Sequence, residues 1–229
     1  IRRQRQMCIR DRSMLDLSDC RCIIFDLDGT ILDSTQVWAK VDMDFLGRRG
    51  IPVSKEYMQE IKTHTFESGS VYTKEKYNLP ESTEEIMKEW YDAACKAYTD
   101  KVVLKPYAKA FIEQMHNNGF KIVSATSSDR ALFEPCLKRN GIYDFFDAFT
   151  QTNEVPRGKK FPDVYIKAAE KAGCKVEECI VFEDVLPAAQ GAKSGGFTVV
   201  AVYDEASADD WQDICRIADY NIKNYSELM

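Results

Sequence analysis

A short apolar run that ends in two aspartates one residue apart constrains this chain more than any other feature: Cys22-Ile-Ile-Phe-Asp-Leu-Asp-Gly-Thr-Ile-Leu-Asp-Ser-Thr35. Cys22 to Phe25 show no polar alternation, so they read as a strand buried on both faces. Such strands belong to parallel sheets covered by helices. Alternation along an extended chain puts Asp26 and Asp28 on one side. They then sit at the carboxyl rim of the strand, where open α/β sheets hold ligands. Two carboxylates that close repel each other, so a cation or a shared proton is expected between them. Gly29 permits a sharp turn and bares backbone N–H groups that can meet an anion. A strand followed by an Asp-Gly turn is the plainer reading of this stretch alone, so partners further along must decide.

A chain of 229 residues suits one domain with an insert, or two small ones. Its 45% hydrophobic and 30% charged residues are those of an ordinary soluble globule. The net charge of −6 argues against nucleic acid as a partner, and no run of the sequence is apolar enough to span a membrane. The cysteines follow no disulfide framework. With two histidines, His64 and His116, and no Cys-x-x-Cys pair, a zinc site is not expected. The cysteines read as reduced thiols of a cytoplasmic protein. Residues 1–19 crowd arginines into a stretch without the apolar core of a signal peptide. They are expected to be a disordered or artefactual leader outside the fold, with Met14 as a start.

Residues 35–101 read as an all-helical insertion. Val37, Val41 and Phe45 recur at helical spacing, with Asp33 or Ser34 placed to cap. Further helices are expected over Lys55–Lys62, Ser68–Tyr77 and Ser82–Tyr98. The last opens on the capping box Ser82-x-x-Glu85 and lines one face with Ile86, Trp90, Ala94 and Tyr98. From Val102, strands and helices alternate as far as a strand over Thr198–Val202, which implies a parallel sheet with helices on both faces. The expected fold class is therefore α/β, with a parallel-sheet core of residues 20–34 and 102–229 and a small inserted helical domain of residues 35–101.

Three later strand ends carry chemistry. Thr126-Ser127-Ser128 offers hydroxyls and N–H groups at a helix entry, a ready anion site. Lys159 and Lys160 follow Gly158 in a loop, and Glu183-Asp184 closes a strand with a second acidic pair. Each alone reads as cap, turn or solvated-loop chemistry. In an α/β sheet, however, such ends converge on one crevice. Together they give a carboxylate cluster suited to Mg²⁺ beside a lysine and a hydroxyl suited to phosphate.

On these residues the chain resembles the haloacid dehalogenase superfamily of phosphohydrolases, in the β-phosphoglucomutase and phosphatase-like subgroup with a small helical cap. Asp26-Leu-Asp-Gly-Thr30, Thr126, Lys159 within Gly-Lys-Lys-Phe-Pro-Asp163, and Glu183-Asp184 fall in the order and spacing of the family's four motifs. The resemblance covers about residues 20–229. It implies a Mg²⁺-dependent enzyme in which Asp26 attacks phosphorus and Asp28 serves as acid and then base. Thr126, Ser127 and Lys159 hold the phosphoryl group. Asp26, Asp184 and the backbone carbonyl of Asp28 bind the metal, with Glu183 a direct or water-bridged ligand, in a Rossmann-like core that carries a small helical cap. The expected partner is a small phosphorylated metabolite, met by a monomer. In the cap, the resemblance puts Phe66 where the mutase carries its phosphate-gripping arginine and Trp38 where it carries a histidine. His64, Arg48 and Arg49 are candidate replacement cations. The loss of that arginine favours water over a sugar as acceptor. A phosphomutase is the alternative, and a non-catalytic phosphometabolite-binding protein a remoter one.

Overall fold

The structure is a computed structural model that describes residues 15–61 and 64–229. Most of the expected leader, and Lys62 and Thr63 of the loop before Phe66, lie outside the described residues. In chain order the elements are β1 (Cys22–Phe25), β2 (Leu32–Asp33), α1 (Val37–Gly47), α2 (Lys55–Ile61), α3 (Phe66–Tyr77), α4 (Thr83–Asp100) and β3 (Val103–Leu104). There follow α5 (Ala108–Asn117), β4 (Lys121–Thr126), α6 (Arg130–Arg139), β5 (Ala148–Gln151), α7 (Asp163–Ala172) and β6 (Cys179–Glu183). Last come α8 (Leu186–Ser194), β7 (Thr198–Val202), α9 (Trp211–Ile217) and β8 (Tyr220–Ile222). Among the described residues no helix is long and apolar enough to cross a membrane.

Two compact units result. The first comprises the chain up to Leu32 together with Leu104–Ser128 and Ile142–Met229. It holds a parallel six-stranded sheet in the order β5-β4-β1-β6-β7-β8. The apolar run of β1 is thus the inner strand that periodicity demands, with Cys22 level with both Lys121 of β4 and Cys179 of β6. One face of the sheet carries Ile24, Val123, Val181 and Val199, packed against Val164, Tyr165 and Ala168 of α7 and Ala189 and Ala192 of α8. The other face is aromatic. The rings of Phe25 and Phe182 lie 5.0 Å apart, and those of Phe111 and Tyr225 5.4 Å apart. Such ring pairs are worth about 0.5–1.5 kcal/mol each beyond their burial, and they stiffen the strands that carry the acidic residues. After β4 the chain builds outward to β5 and then returns to the opposite side of β1, so the topological switch falls at β1.

The second unit comprises Asp33–Val103 and Asp129–Gly141 and is helical apart from its chain ends. Helix α4 buries Ile86, Trp90, Ala94 and Tyr98, the stripe its sequence spells out. Its capping box is closed reciprocally, with Glu85 N donating to Ser82 Oγ at 3.1 Å and Ser82 N to Glu85 Oε2 at 2.8 Å. Arg49 lies over the Phe45 ring at 3.7 Å while its guanidinium bonds Glu81 and Glu89. The expected cap of α1 is corrected. Asp33 still belongs to β2, so the helix starts too far downstream for Asp33 or Ser34, and Gln36 occupies the N-cap with no side-chain bond. Helix α3 opens at Phe66, ahead of the expected Ser68, because Thr65 and Ser68 cap each other.

One acid in this unit faces inward. Asp42 is buried, with the Tyr57 hydroxyl 3.5 Å from Oδ1 and engaged also by Thr73 at 2.9 Å. Burial pushes the Asp42 carboxyl up to about 6, against the opposing pull of the Tyr57 hydrogen bond. A raised carboxyl favours the folded state most below its unfolded value and loses that contribution as pH rises through 6. Asp42→Asn should therefore stabilise the protein by about 1–3 kcal/mol at pH 7.5 and by little at pH 4. Urea denaturation at the two pH values measures the difference.

Candidate active site

Three neighbouring strands end at one place. Asp26 directly follows β1, Thr126 is the last residue of β4 and Glu183 the last of β6, with Asp184 next. Their register sets them along the carboxyl edge of the sheet, and a hydrogen bond of 3.0 Å from Asp26 N to Phe182 O extends the β1–β6 ladder by one residue. Beyond Asp26 the chain folds back. Thr30, Ile31 and Leu32 all donate to the Leu27 carbonyl, and Gly29 takes a φ of 84°, which only glycine adopts without strain. That turn brings the Thr30 hydroxyl to Asp184 Oδ1 at 3.0 Å, and Tyr225 ties the Thr30 carbonyl down at 3.0 Å.

Lys159 reaches into this group from the loop before α7. Its Nζ donates to Asp26 Oδ1 and, at 2.7 Å, to Glu183 Oε1. Lys160, its sequence neighbour, is exposed. Glu183 is fully buried and Asp184 2% exposed, so ionised carboxylates here have almost no water to solvate them. Burial pushes the Asp26 carboxyl up to about 7. Lys159 opposes this, while Glu183 and Asp28 add to it. Asp184 is raised further by burial and by the charges of Asp26 and Glu183. Burial works against the Lys159 ammonium, but Asp26 and Glu183 outweigh it and hold the lysine above its ordinary value.

One oxygen each from Asp26, Glu183 and Asp184 lie within 4.8 Å of one another. Three carboxylates against one ammonium leave an excess of negative charge in a dry pocket. A hard divalent cation with oxygen ligands fits that donor set, whereas zinc prefers nitrogen and sulfur. The half-buried Asp28 side chain is not part of the group.

The structure thus brings together Asp26, Lys159, Glu183 and Asp184. Thr126 is buried at the end of the adjacent strand, and its Oγ1 accepts Ser128 N at 3.0 Å, while Ser127 is exposed. In the helical unit the Trp38 and Phe66 rings meet edge to face at 5.6 Å, and Phe66 also packs on Trp90. His64 stacks on Tyr72 at 4.9 Å with Nδ1 3.2 Å from Ser68 Oγ. Sequence reasoning missed Tyr165 and Gly191, and gave Thr30 no role of its own. Tyr165 donates to Glu183 Oε1 at 2.7 Å. Thr30 lay inside the first motif and was legible there. Tyr165 reads as one more apolar residue on the inner face of α7.

A family model for haloacid dehalogenase-like hydrolases matches residues 20–196. The bifunctional riboflavin kinase/FMN phosphatase of Arabidopsis thaliana is 28% identical over 182 residues, covering 79% of this chain. The chain spans 48% of that relative's length. A Drosophila melanogaster protein assigned as a pseudouridine-5'-phosphatase is 28% identical over 219 residues, covering 88% of this chain and 92% of its own. In fold, the chain is similar to a Thermotoga maritima protein assigned as a β-phosphoglucomutase. The TM-score is 0.80 at 20% identity, with 91% and 96% of the two chains covered.

Gly191 accounts for how Lys159 gets in. A Cβ at Gly191 would stand 2.0 Å from the Lys159 carbonyl oxygen and 2.9 Å from the Lys160 carbonyl carbon, so α8 lets the lysine loop approach only because it has no side chain there. In an open helix, glycine to alanine gains about 1 kcal/mol. Here Gly191→Ala should instead cost about 2–4 kcal/mol and displace Lys159. Thermal unfolding of the variant reads the sign directly.

Proposed function

The chain belongs to the haloacid dehalogenase-like hydrolase family, and on that premise we propose that it is a Mg²⁺-dependent phosphomonoester hydrolase acting on a small phosphorylated metabolite such as a sugar phosphate. The observation that carries this reading is the Lys159 ammonium shared between Asp26 and Glu183, with Asp184 beside them at the carboxyl edge of the sheet. When bound, Mg²⁺ would lie among Asp26, Asp184, Glu183 and the Asp28 carbonyl and offset the repulsion between Asp26 and the phosphate. Lys159 neutralises charge on the phosphoryl group in transfer, and Thr126 with the N–H groups after it orients that group. A carboxylate oxygen of Asp26 forms a bond to phosphorus as the bond to the alcohol oxygen breaks, and Asp28 gives that oxygen its proton. Asp28 then takes a proton from the water that attacks phosphorus. This releases inorganic phosphate and restores Asp26.

Water as the final acceptor is supported by the state of the helical unit. Arg48 bonds Glu89 at 2.6 Å, Arg49 is held by Glu81 and Glu89, and His64 lies against Tyr72 and Ser68. These side chains are already engaged, and Phe66 offers a phenyl ring in place of a bidentate guanidinium. The two relatives described above are named as phosphatases. The intact set of Asp26, Asp28, Lys159 and Asp184 speaks for catalysis over mere binding.

Asp26→Asn should leave the fold intact and lower phosphate release by several orders of magnitude. Residual turnover above about a percent in a phosphate-release assay would exclude Asp26 as nucleophile. Chelation should abolish activity and added Mg²⁺ restore it, while full activity in excess chelator would remove the metal from the scheme. Given β-glucose 1-phosphate and a bisphosphate primer, any accepted substrate should yield glucose and phosphate. Glucose 6-phosphate appearing faster than phosphate in a coupled assay would mark a mutase.

A further inference from the structure

We propose that Tyr165 is a positioning residue whose hydroxyl fixes Glu183 and thereby sets how tightly the acidic cluster holds its metal ion. The proposal rests on the metal-dependent reading above and adds to it a residue outside the four motifs. Tyr165 stands in the first turn of α7, just past the lysine loop, and is fully buried. Its Oη lies 2.7 Å from Glu183 Oε1 and 3.4 Å from the Ala188 carbonyl. A phenol has one proton to donate, and the closer, charged acceptor takes it.

The same Oε1 accepts Lys159 at 2.7 Å, so both strong donors converge on one carboxylate oxygen. Oε2 accepts only a longer bond of 3.3 Å from Asp184 N among the hydrogen bonds the structure gives it, and so keeps capacity for a cation. The terminal torsion of a glutamate is broad, and Lys159 is shared with Asp26. Of the two close donors to Oε1, the hydroxyl of Tyr165 is therefore the one not shared with a second carboxylate. The ring has a separate task, packing on Phe197 at 6.1 Å in the core beneath. Removing the oxygen while keeping the ring separates the two roles.

Tyr165→Phe should bind Mg²⁺ about ten-fold more weakly, as when the supporting partner of a metal ligand is lost. Calorimetry on the metal-free protein, or Mn²⁺ titration followed by electron paramagnetic resonance, reads this without any substrate. At saturating Mg²⁺ the variant's kcat should stay within about three-fold of wild type, so the loss appears in the metal requirement and not in the chemistry. In a Glu183→Gln background the same tyrosine change should have little further effect on metal affinity, because Tyr165 acts through Glu183. Unchanged metal affinity in Tyr165→Phe, or an equal loss in both backgrounds, overturns the proposal. A Tyr165→Phe chain that fails to fold also overturns it, since the hydroxyl is then structural. If neither protein hydrolyses any phosphate ester, the hydrolase reading falls while the binding measurement still decides this one.

Discussion

Everything about this chain's sheet edge depends on one ammonium group among buried carboxylates. Removing ionised groups from water costs several kcal/mol each, and their mutual attraction repays this only with good geometry and further hydrogen bonds. Lys159 supplies the charge, bonding Asp26 and Glu183 together. Thr30 and Tyr165 supply the further donors, to Asp184 and Glu183. The arrangement keeps an excess of acid over base, so it is not built for stability alone. A cluster left short of positive charge is one that could hold a metal ion.

The supporting architecture follows from that need. The acidic residues ride on the ends of β1 and β6, paired in parallel register, and those strands are held from beneath by Phe25, Phe111, Phe182 and Tyr225. The lysine arrives on a loop whose closeness to α8 is possible only at Gly191. Packing thus sets the carboxylates on rigid elements and lets the lysine come in from the side. Tertiary restraints of this kind, more than local propensity, fix a charged site to a fraction of an ångström.

Much of this was legible in the sequence because it is written in periodicity and in punctuation. The unbroken apolar run before Asp26 announced an inner strand, and the Ser82-Glu85 box and the Ile86–Tyr98 stripe announced α4. What escaped was set by geometry in three dimensions. Asp33 and Ser34 look like helix caps, yet the chain is still extended there and Gln36 takes the position. The Thr65–Ser68 box that opens α3 lacks the usual glutamate, and so passed as loop. Trp211–Ile217 and Tyr220–Ile222 are too short for a periodic pattern to stand out, and the sheet gains β8 only through its ladder with β7. Tyr165 faces the core as any apolar residue would. That its hydroxyl ends at Glu183 depends on how α7 packs across β4 and β1, which no local pattern records.

The order in which the chain is made gives the sheet's switch point a further meaning. The neighbours of β1 in the sheet, β4 and β6, both come much later in the chain, and Lys159 lies 133 residues beyond Asp26. Thr30 must wait 154 residues for Asp184 and 195 for Tyr225. A nascent chain therefore carries an acid-tipped strand that must wait for β4 on one edge and still longer for β6 on the other. Charge at the tip of such a strand discourages pairing with other chains. Asp26 and Asp28 put such charge at the end of the sheet's central strand, whose two partners follow it in the chain.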